Sequence, residues 1–412
     1  MNMFRSLKYR NFQLFFYGQS ISLLGTWMQK TAVSWLVYKL TGSALLLGLV
    51  TFASLIPSLV LSPFAGSYIE KHDRFKILVK SQIISMMQAG TLAVLIYFKI
   101  YSISALVFLS LLQGIINSFD VICRQTLMMD MVGKKEDLPN AIALNSTMTN
   151  LARIIGPALA GLVLGSLGED FCFIGNFVSY IPVLFCLYRM DIKITENTEQ
   201  ENYVWTELKE GFDYLVHEKD LISLIVLLAV SSLIVIPFNT LMPIFAKDIF
   251  HGTAGTFSLF ESAIGLGAVM SAVYMANLQK YDHIIKIIIV SGFMLGSSVM
   301  LLAGSELIPV TVVLLIVSGI GMMAQTSAIN TYIQTHAHPS MRSRSISYYI
   351  MAYQGLIPVG SLLAGVVAET IGVRLTVVLQ GLIGLIAVLA FYLYWKRMKT
   401  NSMIKENVFI KH

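Results

Sequence analysis

Charged residues are scarce in this chain of 412 residues. Asp, Glu, Lys and Arg make up 13% of it, whereas hydrophobic residues make up 56% and the mean hydropathy is +0.72. Soluble globular proteins carry about 25% charged residues. The composition therefore excludes a soluble globular protein and predicts a polytopic membrane protein.

Cysteines and catalytic motifs are also scarce. The three cysteines, Cys123, Cys172 and Cys186, are scattered singly, without metal-ligand spacing or an obvious disulfide partner, and we interpret them as packing residues. The sequence contains no nucleophile elbow, zinc-protease, nucleotide-phosphate or dinucleotide-binding motif. We therefore expect neither an enzyme nor a bound metal or cofactor.

Long apolar runs are abundant instead. A helix needs about 20 apolar residues to cross the hydrocarbon core, and about twelve such runs are separated by short polar intervals. The predicted spans are residues 11–37, 44–67, 77–98, 102–123, 140–166, 171–189, 221–246, 254–277, 284–304, 308–333, 344–368 and 373–395. The expected fold class is an all-α polytopic membrane protein with 12 transmembrane helices.

The longest polar interval, Met190 to Asp220, divides the chain into halves of similar length. We expect a six-helix bundle over 1–190, a cytoplasmic linker with an amphipathic helix over 191–220, a second bundle over 221–396 and a tail over 397–412. The segment ARIIGPALAGLVLGSLG (152–168) aligns without gaps with LIPVGSLLAGVVAETIG (356–372), which indicates a weak internal repeat. Chance identity among small membrane residues is the alternative.

The distribution of basic residues predicts the orientation. About 23 of the 29 Lys and Arg lie in the termini and the even-numbered loops, against four in the odd-numbered loops. The positive-inside rule then places both termini in the cytoplasm. Nucleic-acid binding is not expected, because the basic residues are not gathered on one surface.

Three charged side chains lie within predicted spans: Lys30, Arg153 and Glu261. Such residues are costly in hydrocarbon and should face a protein interior or an aqueous cavity. Glu261 either carries a transported proton or only pairs with Lys30. Uncharged polar residues of the spans, some of which should line a cavity, are Gln19, Gln88, Gln113, Asn117, Asn145, Asn150, Gln325, Asn330 and Gln354. Trp27, Trp35 and Tyr38 are interpreted as membrane-interface anchors rather than substrate-stacking residues.

The loop after the second predicted span reads GSYIEKHDRFK, from Gly66 to Lys76. Positive-inside statistics alone would also produce a solvated basic turn here. The segment nevertheless resembles the loop between the second and third helices of the major facilitator superfamily, G-x-x-x-D-R-x-x-R-[RK], with Glu70 for Asp and Lys71 for Arg. Further similar segments are GTWMQK (25–30), LTGSALLLGLV (40–50), FDVICRQ (119–125), LPNAIALNS (138–146), ARIIGPALAG (152–161) and CF-x-x-N-x-x-SY (172–180). They are typical of the transmembrane secretion effector, or drug:proton antiporter, branch, which includes macrolide and siderophore exporters.

The resemblance implies two pseudo-symmetric six-helix bundles and specific functional residues. The charge cluster that closes the cytoplasmic side in this family matches Glu70, Arg74 and Asp120. The resemblance assigns the cytoplasmic gate and coupling role to Gly66, Glu70, Lys71, Arg74, Lys76, Asp120 and Arg124. The fifth-helix exporter motif corresponds to Arg153, Gly156, Pro157 and Gly161, although Pro157 is also consistent with a purely structural kink.

The predicted function is secondary active transport across a bacterial inner membrane by alternating access. We expect export of a small organic molecule, either a siderophore or a drug-like compound, in exchange for protons. The expected partners are this substrate, protons and the lipid bilayer, and the expected oligomeric state is a monomer. A proton-coupled importer and a non-transporting accessory protein are the alternatives. The candidate proton or substrate residues are Lys30, Glu261, Gln19, Asn145, Asn150, Gln325 and Gln354.

Overall fold

The computed structural model describes residues 4–192, 204–278 and 283–409, and they form helices joined by short turns. The helices of the first sequence half are α1 (Arg10–Thr41), α2 (Ala44–Glu70), α3 (Arg74–Tyr97), α4 (Ile103–Thr126), α5 (Met128–Val132), α6 (Leu138–Ser166) and α7 (Glu169–Tyr188). Short 3-10 helices at Arg5–Lys8 and Lys135–Asp137 precede α1 and α6. Ser43, Asp73 and Ser102 cap α2, α3 and α4 by accepting hydrogen bonds from backbone N–H groups.

The helices that follow are α8 (Val204–His217), α9 (Lys219–Val230), α10 (Met242–Ile244), α11 (Ala254–Ala276), α12 (Ile284–Leu302), α13 (Ile308–His336), α14 (Arg342–Ile350), α15 (Leu356–Ile371) and α16 (Val373–Phe409). The helix that starts with α9 changes its winding repeatedly, with π turns at Ser231–Val235 and Phe245–Ile249 and a 3-10 segment at Ile236–Leu241. Pro237 and Pro243 lie in this stretch, and proline removes a backbone donor from the helical hydrogen-bond ladder. Another π turn, Met351–Gly355, joins α14 to α15.

Eleven helices within the described residues are long and apolar enough to cross a membrane. Eleven of the twelve predicted spans correspond to them. The span predicted over 11–37 forms α1 but is not among the eleven, so the expectation of twelve is not confirmed. Three glutamines, Gln13, Gln19 and Gln29, together with Lys30, make α1 more polar than its neighbours.

The described chain forms two compact units that do not coincide with the two sequence halves. Unit 1 comprises residues 1–200, 239–265 and 361–370, and unit 2 comprises 201–238, 266–360 and 371–412. In unit 1, α1 packs on α6 and α7, while α4 packs on α2 and α3. In unit 2, α12 packs on α13 and α16. Unit 1 thus includes segments from both halves of the sequence.

Each unit has its own apolar core. One core cluster of unit 1 contains Phe12, Leu78 and Leu127, and one of unit 2 contains Leu224, Ile288 and Ile329, all of which are fully or almost fully buried. Burial of such side chains contributes about 25 cal/mol per Å² of apolar surface removed from water. In a membrane, close van der Waals contact between helices takes over much of this role.

Candidate functional site

Helix α6 contacts two other helices of unit 1 through its glycines. A Cβ built on Gly156 would clash with Cβ of Trp27 on α1, and a Cβ on Gly161 would lie 2.5 Å from Cβ of Ser258 on α11. Close packing through small residues is the usual form of helix association in membranes. The two glycines therefore hold α1 and α11 against α6.

A second contact fixes the register between α6 and α11. Ser262 donates a hydrogen bond of 3.4 Å to the carbonyl of Ile154, and a Cβ on Gly265 would lie 3.0 Å from Cγ1 of Ile154. Ser262 follows Glu261 in sequence, and Ile154 follows Arg153. The interface thus places the carboxylate of α11 at the same level as the guanidinium of α6.

Lys30 and Arg153 lie beside the ring of Trp27, Glu261 lies near both cations, and we call these four residues the charged centre. Nζ of Lys30 lies 4.8 Å, and Cζ of Arg153 5.9 Å, from the centre of the Trp27 ring. Both distances are within the range of cation–π attraction. Glu261 interacts electrostatically with both cations, so the three charges predicted to lie deep in the spans are close together.

The charged centre contains no direct ion pair. Lys30, Arg153 and Glu261 form no contact of 4.0 Å or less with an opposite charge among the described residues. Lys30 is exposed, while Arg153, Glu261 and Trp27 are half-buried. Because a charge that faces lipid is costly, we expect the exposed surface of Lys30 to face an aqueous space. Two cations and one carboxylate in such a place can bind acidic groups or exchange a proton.

The interpretation of the α1 aromatic residues as membrane-interface anchors is wrong. Trp35 is buried and stacks on Phe257, with 6.2 Å between ring centres. Tyr38 is 3% exposed and donates a hydrogen bond to Oδ2 of Asp248. Helix rotation, which apolar content alone does not determine, turns these rings towards protein and not towards lipid.

Among the predicted gate residues, Asp120 has the most contacts. It is 5% exposed, and its Oδ1 accepts hydrogen bonds from Oγ of Ser81 at 3.0 Å and Nε2 of Gln82 at 2.5 Å. Its Oδ2 pairs with Nη2 of Arg124 at 2.7 Å, one helical turn along α4. A buried carboxylate with three such partners is held in one position.

The other predicted gate residues are arranged differently. Arg74 lies 4.0 Å from Oδ2 of Asp130 on α5. Lys76 pairs at 3.2 Å with Asp73, and Lys71 is exposed at the end of α2. A Cβ on Gly66 would meet no atom within 4 Å, so no neighbour requires a glycine there. The side chain of Glu70 lies outside the described part of the chain.

The predicted uncharged polar residues do not form one cluster. Gln19 is 4% exposed, Asn145 and Asn150 are half-buried, and Gln354 is exposed in the π turn before α15. Gln325 is completely buried in unit 2, and neither of its amide atoms has a hydrogen-bond partner within the described residues. In the part of the chain that the structure describes, none of the five forms a hydrogen bond with the charged centre.

Several polar contacts at the end of α1 farthest from the N-terminus were not predicted. Besides the Tyr38–Asp248 bond, Lys247 donates to the carbonyl of Lys39 at 3.4 Å. The carboxylate of Glu369 accepts hydrogen bonds from Oγ of Ser43 and the backbone N–H of Leu45, both at 3.1 Å. We call these four hydrogen bonds the far-end cluster. They join segments from the two sequence halves within unit 1.

An anchor at the opposite end of the helices was also missed. Asp137, which is 3% exposed just before α6, accepts hydrogen bonds from Nζ of Lys8 at 2.9 Å and Oη of Tyr9 at 2.6 Å, and it pairs with Arg5. The donors Tyr9 and Lys8 hold the pKa of the Asp137 carboxyl below its usual range. The sequence feature that could have predicted this anchor is an acidic residue directly before an apolar run, in a chain with a basic N-terminal segment.

Comparisons with known proteins are consistent with this architecture. A family model described as transmembrane secretion effector matches residues 2–410. The staphyloferrin A transporter of Staphylococcus aureus (strain NCTC 8325 / PS 47) is 26% identical over 394 residues, which cover 93% of this chain and 96% of the relative. Macrolide efflux protein A of Streptococcus pyogenes is 24% identical over 390 residues, covering 91% and 94%. A crystal structure of the nucleoside transporter NupG shares the fold, with a TM-score of 0.69, 16% identity and coverage of 96% and 100%.

Proposed function

Because the chain belongs to the transmembrane secretion effector family of the major facilitator superfamily, we propose that it exports a small organic molecule in exchange for protons. As a member of this superfamily it is a multi-pass membrane transporter and not an enzyme. The proposed cargo is a siderophore or a drug-like compound, because the relatives include a staphyloferrin A transporter and a macrolide efflux protein. Export proceeds by alternating access across the inner membrane of a bacterium.

The position of Lys30 and Arg153 beside Trp27, with Glu261 near both cations, is the observation that carries this proposal. Charged residues inside membrane helices mark substrate or ion pathways, because their cost in hydrocarbon is retained only for function. The interface that brings them together consists of Gly156 and Gly161, the glycines of the exporter motif. The motif thus contributes to transport by building the charged centre.

The positive-inside rule supports the orientation of the transporter. It assigns the N-terminus and Asp120 with its bonded partners to the cytoplasmic side, and the far-end cluster to the extracellular side. Alternating access then requires the far-end contacts to break whenever the extracellular side opens. The ion pair between Asp120 and Arg124 is the counterpart of these contacts near the cytoplasmic side.

Glu261 has two candidate roles. It is the counter-charge of Lys30 and Arg153, both of which lie near its carboxylate, or it carries the exchanged proton, a role that carboxylates inside membrane helices have in other transporters. The pH profile of export by Glu261→Gln should keep its shape in the first case, and a flat profile would assign the proton to Glu261.

Export is tested by comparing source cells with and without the gene under iron limitation. Mass spectrometry of the spent medium should show the loss of one small molecule, with retention of that molecule inside the deletion cells. Re-expression of the natural chain should restore secretion, whereas Arg153→Gln at equal membrane abundance should not. If the spent media of the two strains do not differ, the next test compares the drug susceptibility of the same strains.

Proton coupling is tested in everted membrane vesicles loaded by an imposed proton gradient. Uptake of the identified molecule into these vesicles corresponds to export from the cell. Uptake should stop when an uncoupler collapses the gradient. Uptake that continues without any gradient would contradict antiport.

A further inference from the structure

The charged centre has an excess of positive charge. Lys30 and Arg153 contribute two cations, and Glu261 contributes one carboxylate. With all three groups ionised, the centre has a net charge of +1, and a ligand whose acidic groups take the place of Glu261 meets two positive charges.

Trp27 brings the two cations into reach of one ligand. Both cations lie within 6 Å of the same indole, at 4.8 Å and 5.9 Å from its centre. The Lys30 and Arg153 charges are close enough to repel each other. A molecule that contacts one cation therefore lies near the other, and an acidic group on that molecule relieves the repulsion.

We infer that the transported molecule is an organic anion with at least two carboxylates, which bind Lys30 and Arg153 in competition with Glu261. This inference rests on the proposed function and names the substrate class of the same site. A dianion neutralises both cations once Glu261 is displaced, whereas a monoanion leaves one of them unbalanced. The planar guanidinium of Arg153 suits bidentate binding of a carboxylate. The apolar face of Trp27 contacts the carbon skeleton between the acidic groups.

The same charges act against lipophilic cations. A cationic drug would be repelled by Lys30 and Arg153 and attracted only by Glu261, whose charge the two cations already offset. Neutral compounds would gain hydrogen bonds but no net Coulomb attraction. The three substrate classes are therefore separable by charge alone.

Binding is measured with the full-length protein in nanodiscs, by the ligand dependence of its thermal unfolding midpoint. The probes are propane-1,2,3-tricarboxylate, the uncharged triamide of the same skeleton, and tetraphenylphosphonium, all at equal ionic strength. The tricarboxylate should raise the midpoint, while the triamide and the cation should not. A wild-type protein that binds no tricarboxylate, or that binds tetraphenylphosphonium instead, overturns the inference.

Four variants test the assigned residues. Lys30→Gln and Arg153→Gln should each weaken tricarboxylate binding by tenfold or more. Glu261→Gln should tighten it severalfold, because the competing carboxylate is removed. Lys80→Gln, which removes an exposed cation on α3, is the matched control and should bind like the wild type.

The response of Glu261→Gln is decisive, because misfolding cannot produce a gain in affinity. Unchanged or weaker binding by this variant contradicts the competition. The assay involves no gradient and no direction of transport. Tricarboxylate binding without proton-driven export would therefore refute the proposed function alone, and export of a cationic or neutral compound would refute this inference alone.

Discussion

Helices α6 and α15 have the same glycine spacing and make equivalent contacts, yet they carry different functional groups. Gly156 of α6 packs on Trp27 of α1, and Gly360, aligned with it, packs on the carbonyl of Leu233 at the π turn that follows α9. In each half, the first glycine thus contacts the first long helix of the same half. The repeat inferred from the alignment therefore has a structural counterpart.

The second glycines extend the equivalence. Gly161 of α6 packs on Ser258 of α11, and Gly365 of α15 packs on Gly48 of α2, where a built Cβ would lie 3.1 Å from the Gly48 Cα. Each contact reaches a helix of the other sequence half and lies within unit 1. Gly168 and Gly372, which follow the two helices, have φ angles of 106° and 86°. Only glycine adopts such backbone angles readily.

Two of the aligned positions differ in charge. Arg153 of α6 is replaced by Ile357 in α15, and Gly165 of α6 is replaced by Glu369. Arg153 belongs to the charged centre, and Glu369 belongs to the far-end cluster. The same helix scaffold thus carries a cation of the charged centre in the first half and a carboxylate of the far-end cluster in the second.

Replacing the charged residue of α6 by its counterpart in α15 should have the largest effect on export. Arg153→Ile should lower export by about 30-fold or more, since removal of one member of a desolvated charge cluster costs about 2–5 kcal/mol. Initial rates in everted vesicles, normalised to the amount of protein, measure this. The mirror change, Ile357→Arg, should not restore export in the double variant, because Ile357 belongs to unit 2, whereas Lys30 and Glu261 belong to unit 1. Export by Arg153→Ile at the wild-type rate would contradict a functional difference between α6 and α15.

The glycine contacts provide the next test. Gly156→Ala should reduce the free energy of unfolding by about 1–3 kcal/mol and impair export, because the new Cβ overlaps Trp27. Gly360→Ala should behave alike if the halves are equivalent. Gly165→Ala, in the same helix, is the control: its Cβ would meet no atom within 4 Å, and alanine favours helix over glycine by about 1 kcal/mol. Equal midpoints in denaturant for Gly156→Ala and Gly165→Ala would show that the close approach is unimportant.

These comparisons indicate what the sequence could predict. Apolar runs identified most spans, and burial cost singled out Lys30, Arg153 and Glu261, because a charge in a span needs a protein environment whichever way the helix turns. The rotation of α1 was not predictable, so Trp27 was assigned to the membrane interface instead of the charged centre. Glu369 was missed because its partners Ser43 and Leu45 are more than 300 positions away in the sequence.

Weakening the far-end cluster should have a moderate effect. Glu369→Gln removes a negative charge from the N-terminus of α2, an interaction worth about 0.3–1 kcal/mol. The far end should open about two- to fivefold more often, measured as faster alkylation of a cysteine introduced at Thr41. Glu306→Gln is the control, since its 3.8 Å pair with Arg374 involves exposed side chains on both sides. A larger change for Glu306→Gln would exclude Glu369 from the closure of this end.

The segments that precede α6 and α15 also form ion pairs, but the signs of the charges are reversed between the two. Before α6, the acidic Asp137 binds the basic segment that precedes α1, whereas before α15, the basic Arg344 pairs at 2.5 Å with Glu210 of α8, which precedes α9. In both halves, the chain that leads into the first long helix is thus tied to the entrance of the fifth.

The Asp137 anchor should produce the smallest effect, visible through pH. Its pKa is lowered in the folded chain by hydrogen bonds from Tyr9 and Lys8, so its contribution to stability is complete above the ordinary Asp pKa of about 3.9 and disappears as the pH falls through the lowered value. Asp137→Asn should therefore unfold at a lower temperature than the wild type at pH 6, and this difference should shrink steadily below pH 4. Glu136→Gln, next to it and exposed, should leave the midpoint unchanged at both pH values. A difference that persists undiminished at pH 3 would mean that packing of the α6 entrance, and not the charge of Asp137, holds the N-terminal segment.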